Sequence, residues 1–439
     1  MMAKYKAYPE YKDSGVEWLG EIPAHWLIKK LKYLCKVQTG SRDTVNAVEN
    51  GRYPFFVRSQ TIERINSVGA ECEAVLTAGD GVGVGKVYHY YNGKFDFHQR
   101  VYMLNEFHSI TGKFVYYYLS SNFYKVALEG NAKSTVDSLR LPQFLNFEFS
   151  IPKLDEQKNL ILFIEHETAK IDNLIEKQQI LIELLKEKRQ AMISHTVTKG
   201  LNPDAPMKDS GVEWLGEVPA HWDICLLKFK CSAITDGAHI SPDTNEGEHY
   251  FVSIKDIKKG IIDFNNSLLT SSASYKYLVK TGCKPFSGDI LFSKDGTIGQ
   301  TAIVPDDVDF VVASSLIIIR ADKEKALPAF MDLLLQSSLV KEQVESFVKG
   351  AALRRLSIQN LEKVFGVFPT LSEQLMISDY IYAQLNRLDV LESKAVAQIQ
   401  LLEERRTALI SAAVTGKIDV RDWVAPDTQD IEEPQEATA

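Results

Sequence analysis

The sequence lacks long apolar stretches. No apolar run approaches the roughly 18–20 residues that cross a membrane, and the N-terminal residues MMAKYKAYPEYK lack the apolar core of a secretory signal. We therefore expect a soluble, cytoplasmic protein with no membrane partner. The 439 residues, of which 45% are hydrophobic and 25% charged, are enough to form ordinary cores and predict two or more domains.

Cysteine is also scarce. The five cysteines form no Cys-x-x-Cys pair and no Cys/His cluster with the spacing of zinc ligands. An odd number of scattered thiols is typical of reduced, buried cysteines. The sequence therefore predicts neither disulfides nor a metal site.

Catalytic motifs are missing as well. The glycine-rich segment 79–86 has Asp80 and Val87 where a phosphate-binding loop needs glycine and Ser or Thr, so we expect a turn between strands. Asn202-Pro203 runs into Asp204 and cannot form the Asn-Pro-Pro-aromatic loop of DNA amino-methyltransferases. Two Glu-x-Lys pairs have nuclease-like spacing, but we interpret them as solvated helix faces; they are Glu156/Lys158 and Glu392/Lys394. No histidine belongs to a recognisable catalytic triad, so no catalytic residue is predicted.

The net charge of −8 argues at first against a nucleic-acid partner. The charge is unevenly distributed, however. Residues 28–150 contain 15 basic and 11 acidic residues, and residues 224–369 contain 17 of each. These two regions are mildly basic and neutral, which is compatible with DNA binding completed by partner subunits.

The chain contains an internal duplication. Lys12–Trp26, KDSGVEWLGEIPAHW, returns 196 residues later as Lys208–Trp222, with Ile22 replaced by Val218 as the single change. We call these two copies the frame segments. A second pair of similar segments, IPKLDEQ at 151–157 and FPTLSEQ at 368–374, is offset by 217 residues. The second copy therefore carries 21 extra residues in its middle, as expected for two recognition modules on a common scaffold.

Two long helices are predicted. Neither glycine nor proline occurs between Pro152 and Gly200, nor between Pro369 and Gly416, and acidic and amide residues follow each proline, as at a helix N-terminus. Apolar residues recur near the 3.5-residue spacing of a coiled coil: Ile164, Ile171, Leu174, Ile175, Leu181, Ile182, Leu185 and Met192, then Ile381, Leu385, Leu388, Leu391, Ile399, Leu402 and Leu409. We favour antiparallel pairing of the two helices over separate packing on each module.

The regions between the repeats are predicted to be mixed and rich in strands. β-branched and aromatic residues dominate segments 53–57, 86–91 and 310–319, with turns at Asn92-Gly93 and Asp295-Gly296. Each region closes with a helical stretch, Lys113–Leu128 and Pro328–Val348. The predicted fold class is α+β, with an internal pseudo-two-fold duplication.

Together, the paired SGVEWLGE(I/V)PAHW segments, the IPKLDEQ and FPTLSEQ helix starts, and the terminal VTKG and VTGK resemble the specificity subunit of type I restriction–modification systems. The resemblance covers the chain from Tyr11 to Trp423. It implies two target recognition domains, each reading one half of a bipartite, asymmetric site in double-stranded DNA. The two helices would form an antiparallel coiled coil that sets the spacer.

The resemblance also implies partners. In that family the non-catalytic subunit assembles with two modification subunits, which are adenine methyltransferases, and with two restriction subunits, which are ATP-dependent translocases and nucleases. S-adenosylmethionine, ATP and Mg would bind those partners, so no cofactor is expected in this chain.

The expected division of the chain follows the repeats: frame segment 1–27, recognition domain 28–152, helical spacer 153–200, frame segment 201–223, recognition domain 224–369, helical spacer 370–417 and a disordered acidic tail 418–439. Polar loop residues would supply the hydrogen bonds to base edges and phosphates. The candidates are Arg42, Arg58, Ser59, Gln60, Thr61, Arg64, Lys133 and Ser134 in the first domain, and His239, Ser253, Lys255, Lys294, Asp295, Arg354 and Arg355 in the second. For each of them a solvated or structural role remains open.

A second class of protein has the same predicted architecture. A structural or interaction protein could carry two globular heads on a coiled-coil stalk. It would self-associate and show no salt-dependent affinity for DNA.

Overall fold

The structure is a computed structural model that describes residues 5–127, 138–212, 215–244, 247–258, 260–348 and 354–424. The chain divides into two compact units. Unit 1 comprises Met1–Gln178 and Ala397–Ala439, and unit 2 comprises Gln179–Val396. None of the helices in the described ranges is long and apolar enough to cross a membrane.

Unit 1 is built on a six-stranded sheet with a helical flank. Its strands are β1 (Tyr11–Asp13), β2 (Glu21–Pro23), β3 (Leu27–Lys30), β4 (Lys36–Thr39), β5 (Tyr53–Phe56), β6 (Glu63–Ile65), β7 (Ala70–Ala78), β8 (Tyr88–Phe97), β9 (Val101–Asn105) and β10 (Glu148–Ile151). Its helices are α1 (Gly112–Asn122), α2 (Tyr124–Ala127), α3 (Leu141–Leu145), the first part of α4 (Leu154–Lys199) and the last part of α9 (Leu371–Val414). The sheet has the order β4-β9-β7-β8-β5-β6, in which only the β5–β8 pair is parallel; β1–β2 and β3–β10 form separate antiparallel pairs.

Unit 2 repeats this plan with insertions. Its strands are β11 (Met207–Asp209), β12 (Glu217–Pro219), β13 (Asp223–Leu226), β14 (Cys231–Asp236), β15 (His249–Val252), β16 (Ile257–Lys258), β17 (Ile261–Ile262), β18 (Leu268–Thr270), β19 (Ile290–Ser293), β20 (Thr301–Ile303), β21 (Phe310–Val312), β22 (Leu316–Ala321) and β23 (Phe365–Phe368). Its helices are the remainder of α4, α5 (Ser272–Lys280), α6 (Pro328–Gln336), α7 (Ser338–Val348), α8 (Ile358–Leu361) and the first part of α9 (Leu371–Val414). The sheet is split into β14-β22-β19-β20 and β18-β15-β21, beside the pairs β11–β12, β13–β23 and β16–β17.

The split has a local cause. In unit 1 the single long strand β8 pairs with both β7 and β5. In unit 2 the corresponding chain is interrupted between β20 and β21, where Asp307 has a positive φ of 60°. β20 therefore pairs with β19, and β21 pairs in parallel with β15.

Each frame segment contacts the start of one long helix through a glutamate. In unit 1, Glu156 is buried; its Oε1 accepts hydrogen bonds from the Tyr8 hydroxyl (2.6 Å) and Trp26 Nε1 (3.0 Å), and its Oε2 lies 2.9 Å from His25 Nε2. The prediction that Glu156 lies on a solvated helix face is therefore wrong. The packing of Tyr8 and Trp26 over the first turn of α4 removes Glu156 from water.

Unit 2 repeats the arrangement at Glu373. Its Oε1 accepts from Trp222 Nε1 at 3.1 Å, and its Oε2 lies 2.9 Å from His221 Nε2. Gln157 and Gln374, the next residues in each helix, are fully buried, and their amide oxygens accept from the backbone N–H groups of Thr111 (3.0 Å) and Leu327 (2.8 Å). The repeated Glu-Gln dipeptide thus attaches each helix to its frame segment and to its recognition domain.

The long helices run antiparallel within each unit. In unit 1, Arg406 Nε of α9 donates to Asp172 Oδ1 of α4 at 2.8 Å, and Trp423 packs on Phe163 nearer the start of α4. In unit 2, Arg189 of α4 pairs with Asp389 of α9. Nearer the end of α4, Gly200 lies beside Trp222 and Glu373, at the start of α9. These contacts confirm the predicted antiparallel pairing of the two helices.

The predicted seam is only partly correct. Buried members are Ile164, Ile171, Leu185, Ile381, Leu385, Leu388, Leu402 and Leu409. Leu174, Leu181 and Leu391, which we assigned to the seam, are exposed. A strict 3.5-residue spacing drifts around a helix that has 3.6 residues per turn, so some predicted positions leave the contact.

Two further expectations fail. Asn92-Gly93, predicted as a turn, lies inside β8, where Gly93 has a φ of 142°. Residues 418–424, predicted as the start of a disordered tail, pack on unit 1, where Ile418 and Val420 are buried and Asp419 N–H donates to Lys6 O at 2.8 Å. In IDVRDW, apolar and charged residues alternate, so the segment has one apolar side that can be buried. The acidic composition, on which the prediction of disorder rested, did not indicate this.

Candidate nucleic-acid interface

In unit 1, loops at one end of the sheet form a charged group that we call cluster 1: Arg42, Arg58, Asp80, His98 and Arg100. The backbone brings these loops together. Gln99 N–H donates to Arg42 O (2.8 Å), His98 N–H donates to Phe56 O (2.9 Å), and Gly79 N–H donates to Arg100 O (2.8 Å). Arg42 also forms an isolated bridge with His98.

Asp80 is the centre of cluster 1. Its Oδ1 accepts from Arg58 Nη1 and its Oδ2 from Arg100 Nη1, each at 2.8 Å. The two arginine side chains remain 39% and 57% exposed, so each guanidinium keeps donors that face solvent. A single carboxylate thus fixes two exposed arginine forks without burying them.

His98 is neutral at physiological pH in this setting. Burial, reinforced by the positive charges of Arg58 and Arg100, lowers its pKa, while the carboxylate of Asp43 acts in the opposite direction. The ring Nδ1 accepts from Arg100 N–H at 2.9 Å, which requires that nitrogen to be unprotonated. His98 therefore orients the Arg100 backbone and adds no charge to the cluster.

In unit 2 a second group, which we call cluster 2, occupies the corresponding strand ends: Asp236, His239, Lys294, Asp295 and Arg355. Lys294, 3% exposed, pairs with Asp236, whose other carboxylate oxygen lies 3.0 Å from His239 Nε2. Arg355 forms an ion pair with Asp295, with Nε 3.1 Å from Oδ1, and an isolated backbone bridge with the same residue. His239 and Arg355 are the exposed basic groups of this cluster.

The two clusters stand on equivalent backbone. Gly79 and Lys294 donate their N–H groups to Arg100 O and Ser315 O, and they accept from the N–H groups of Leu139 and Leu356. Asp80 and Asp295, one residue later, each form an isolated bridge, to Ser138 and Arg355 respectively. By this backbone pattern Asp80 corresponds to Asp295, Arg100 to Ser315, and Ser138 to Arg355.

Two other predicted candidates, Arg64 and Ser253, form hydrogen bonds within the protein. Arg64 Nε and Nη2 donate to the carbonyls of Gly51 and Arg52 at 2.9 Å, so this side chain braces the β5–β6 hairpin. Ser253 caps a short 3₁₀ helix by bonding Asp256. Both residues therefore have structural hydrogen bonds that account for them.

The remaining candidates lie at the surface. Ser59, Gln60 and Thr61 are exposed in the loop that follows Arg58, and Lys255 is exposed in the 3₁₀ helix after Ser253. Arg354 lines a depression of about 340 Å³ together with residues 296–299 and α7. Lys133 and Ser134 lie outside the described residues.

Sequence reasoning missed Asp80, His98 and Arg100 of cluster 1 and Asp236 of cluster 2. Asp80 was considered only as a residue that spoils a phosphate-binding loop, and Arg100 lies in a three-residue connection between β8 and β9. The available signal was the spacing of the duplication, since Asp80 and Asp295 both follow a strand and precede a glycine.

Comparison with known proteins agrees with the duplication. The sequence model of the family described as "Type I restriction modification DNA specificity domain" matches twice, over residues 23–185 and 229–401. The EcoDI type I restriction enzyme specificity subunit of Escherichia coli is 28% identical over 185 residues, which are 42% of this chain and 40% of that protein. The EcoBI specificity subunit of the same organism is 22% identical over 325 residues, which are 71% of this chain and 66% of that one. Each of these alignments therefore spans less than two thirds of the relative.

A solved structure shares the fold. It is described as the structural basis of complex assembly and conformational transition of the type I R-M system. The similarity covers 90% of this chain and 99% of that one, with a TM-score of 0.62 and 14% sequence identity.

Proposed function

Because this chain belongs to the type I restriction modification DNA specificity domain family, we propose that it is the non-catalytic subunit that reads DNA sequence for a restriction–modification complex. Unit 1 reads one half of a bipartite, asymmetric site in double-stranded DNA, and unit 2 reads the other. The observation that carries the proposal is the equivalence of clusters 1 and 2, because two readers on one scaffold need the same backbone and different side chains.

The chemistry of the clusters suits base recognition. An arginine fork donates two parallel hydrogen bonds to the O6 and N7 atoms of guanine in the major groove, a contact that discriminates by about 1–3 kcal/mol. Arg58 and Arg100, already fixed by Asp80, lose little side-chain freedom when they bind. In unit 2, Arg355 on Asp295 provides one such fork, and His239 provides an additional polar group.

The partners follow from the function. With a net charge of −8, the chain gains only part of its attraction for phosphates from its own residues. Two adenine methyltransferase subunits, which bind S-adenosylmethionine, and two restriction subunits, which use ATP and Mg, would supply the chemistry. The lengths of α4 and α9 would set the number of unspecified base pairs between the half-sites.

Selection of duplexes from a random-sequence library by the full chain tests the proposal. We expect the bound duplexes to share two short constant segments at a fixed spacing. In a chimera with residues 28–150 taken from a relative, one segment should change and the other should persist. Binding without sequence enrichment, or self-association without DNA binding, would instead support a structural protein with two heads.

A further inference from the structure

Unit 2 contains a helix without a counterpart in unit 1. In unit 1 only residues 66–69 separate β6 from β7. In unit 2 the corresponding strands, β18 and β19, are separated by residues 271–289, which include α5. Much of the difference in length between the two halves of the duplication therefore lies in this segment.

The helix α5 has a sharply divided surface. Leu278 is buried, and Tyr275 and Val279 pack beside it against Phe251 and Val311. The exposed residues have the i, i+3, i+4, i+7, i+8 spacing of a single helix face; they are Ala273, Lys276, Tyr277, Lys280 and Thr281. We call this face the α5 stripe.

The α5 stripe is basic. Residues 271–288 contain three lysines and no acidic residue. Lys284 is neutralised by Asp309 at 2.5 Å, whereas no carboxylate among the described residues forms an ion pair with Lys276 or Lys280. The positive charge of the segment is therefore concentrated on the exposed face.

The helix is held firmly on the sheet. The rings of His249 and Tyr275 stack with centroids 3.9 Å apart and an interplanar angle of 12°. The Tyr275 hydroxyl donates to Asp309, the residue that also pairs with Lys284. Tyr275 thus connects the inner face of α5 to the first residue of β15 and to the start of β21, so the outer face is presented in a fixed position.

The α5 stripe adjoins cluster 2. A depression of about 320 Å³ has Asp236 and His239 on one wall and Tyr277 and Thr281 on the other. A ligand that occupies cluster 2 and extends beyond it in this direction would therefore meet Lys276 and Lys280.

We propose that the α5 stripe binds the phosphate backbone of the DNA beside the half-site that unit 2 reads. Among its described residues, unit 1 has no counterpart of the α5 stripe that could make the same contact. The inference rests on the proposed function, because it extends the DNA path beyond cluster 2. Lysine ammonium groups are suited to this role, since they attract phosphates as point charges and carry no base preference.

The test is the salt dependence of DNA binding by the full chain, with the duplex selected by that chain as the probe. Each phosphate contact contributes about 0.9 to the slope of log affinity against log salt concentration. In the double variant Lys276→Gln/Lys280→Gln we expect a slope that is smaller by about 2. The selected sequence should remain the same.

Matched variants make the result interpretable. Lys188→Gln/Lys323→Gln removes the same charge from exposed positions of unit 2 outside α5 and should leave the slope near that of the unmodified chain. Lys276→Arg/Lys280→Arg should retain the original slope, because it keeps the charge. An equal loss of slope in the α5 and control glutamine variants would overturn the inference, and so would a change in the selected half-site. If the unmodified chain enriches no sequence, either alone or assembled with the methyltransferase subunits, the proposed function itself fails.

Discussion

Clusters 1 and 2 both have an aspartate at the equivalent backbone position. The basic residues that pair with this aspartate come from different loops in the two units. Asp80 holds Arg58 and Arg100, whereas the corresponding Asp295 holds Arg355. Arg355 occupies the place of Ser138, and Ser315 occupies the place of Arg100. The difference shows that the strand ends form a fixed platform on which an aspartate can orient arginines that arrive from different loops.

The largest effect should come from the frame segments, where the two units are most alike. Trp26 and Trp222 are almost fully buried, so Trp26→Ala or Trp222→Ala should each lower the free energy of unfolding by about 3–5 kcal/mol. Hydrogen exchange followed peptide by peptide should show faster exchange in unit 1 for the first variant and in unit 2 for the second. Equal loosening of both units by either variant would show that the frame segments do not stabilise the units separately.

Substituting the two glutamates that accept hydrogen bonds from these tryptophans should destabilise the two units to different extents. Glu156→Ala leaves the Tyr8 hydroxyl and Trp26 Nε1 without their acceptor and should cost about 2–4 kcal/mol of unfolding free energy. Glu373→Ala should cost about 1–2 kcal/mol, because Glu373 is more exposed and accepts from Trp222 Nε1 without a tyrosine partner. Urea unfolding measures both. As a control, Glu156→Gln retains an acceptor oxygen and should be milder than the alanine variant, and the comparison fails if Glu373→Ala proves the more damaging change.

A buried acid makes unit 2 sensitive to pH. Leu327 and Thr111 are equivalent, because each donates its backbone N–H to the glutamine near the start of a long helix. Asp332 lies five residues after Leu327, and Tyr116 lies five residues after Thr111. The counterpart of Asp332 in unit 1 is therefore Tyr116. Burial raises the pKa of Asp332 to about 6, although Thr301 and the amide of Gln336 act in the opposite direction. Because the folded state favours the protonated carboxyl, the stability it contributes is present below its usual pKa of 3.8 and is lost as the pH rises through about 6.

Asp332→Asn should remove the loss of stability that ionisation of Asp332 causes at high pH. At pH 8 the variant should be more stable than the unmodified chain by about 2–3 kcal/mol, and near pH 4 the two should be almost equal. Denaturant unfolding at a series of pH values measures the difference. The substitution Tyr116→Phe in unit 1 provides the control and should leave the pH dependence unchanged. A stability difference that is the same at pH 4 and pH 8 would rule out ionisation of Asp332 as the cause.

The effects on sequence discrimination should be smaller than those of the tryptophan substitutions on stability. Arg58→Ala or Arg100→Ala should each cost about 1–3 kcal/mol of discrimination at one G·C pair in the half-site of unit 1, and Arg355→Ala should do the same in the half-site of unit 2. Sequencing of the selected duplexes reports both half-sites in one experiment. Arg64→Ala is the matched control, since its side chain is bonded to backbone carbonyls, and it should leave the selected sequence unchanged. Relaxation of the wrong half-site would contradict the assignment of clusters to half-sites.

The long helices and the duplication could be predicted because their signals are local. Proline and glycine delimit α4 and α9, and repeated apolar residues indicate a helix that packs along one side. The predicted helical stretches 113–128 and 328–348 correspond to α1 with α2 and to α6 with α7, with breaks at Phe123 and Ser337. Family membership was predicted on the same repeated segments and is confirmed.

The clusters could be predicted only in part because their contacts are remote in sequence. Arg58 and Arg100 are separated from Asp80 by 22 and 20 residues, and no local pattern joins them. The prediction for Glu156 was wrong for a similar reason, because its burial depends on Tyr8, which lies 148 residues away. The helix α5 was missed because a short helix inserted between strands has few turns over which an apolar repeat could show.

Two glycines lie next to the loops that carry clusters 1 and 2. A Cβ added to Gly40 would lie 2.0 Å from the Phe97 carbonyl oxygen, and one added to Gly237 would lie 2.1 Å from the carbonyl oxygen of Ala313. At both positions two chain segments cross with main chain directly against main chain. The close approach at each crossing is between backbone atoms, so what it requires is the absence of a side chain at the glycine. On the proposed function, the bases that each unit prefers could therefore change through substitutions elsewhere in these loops, while the two glycines are retained.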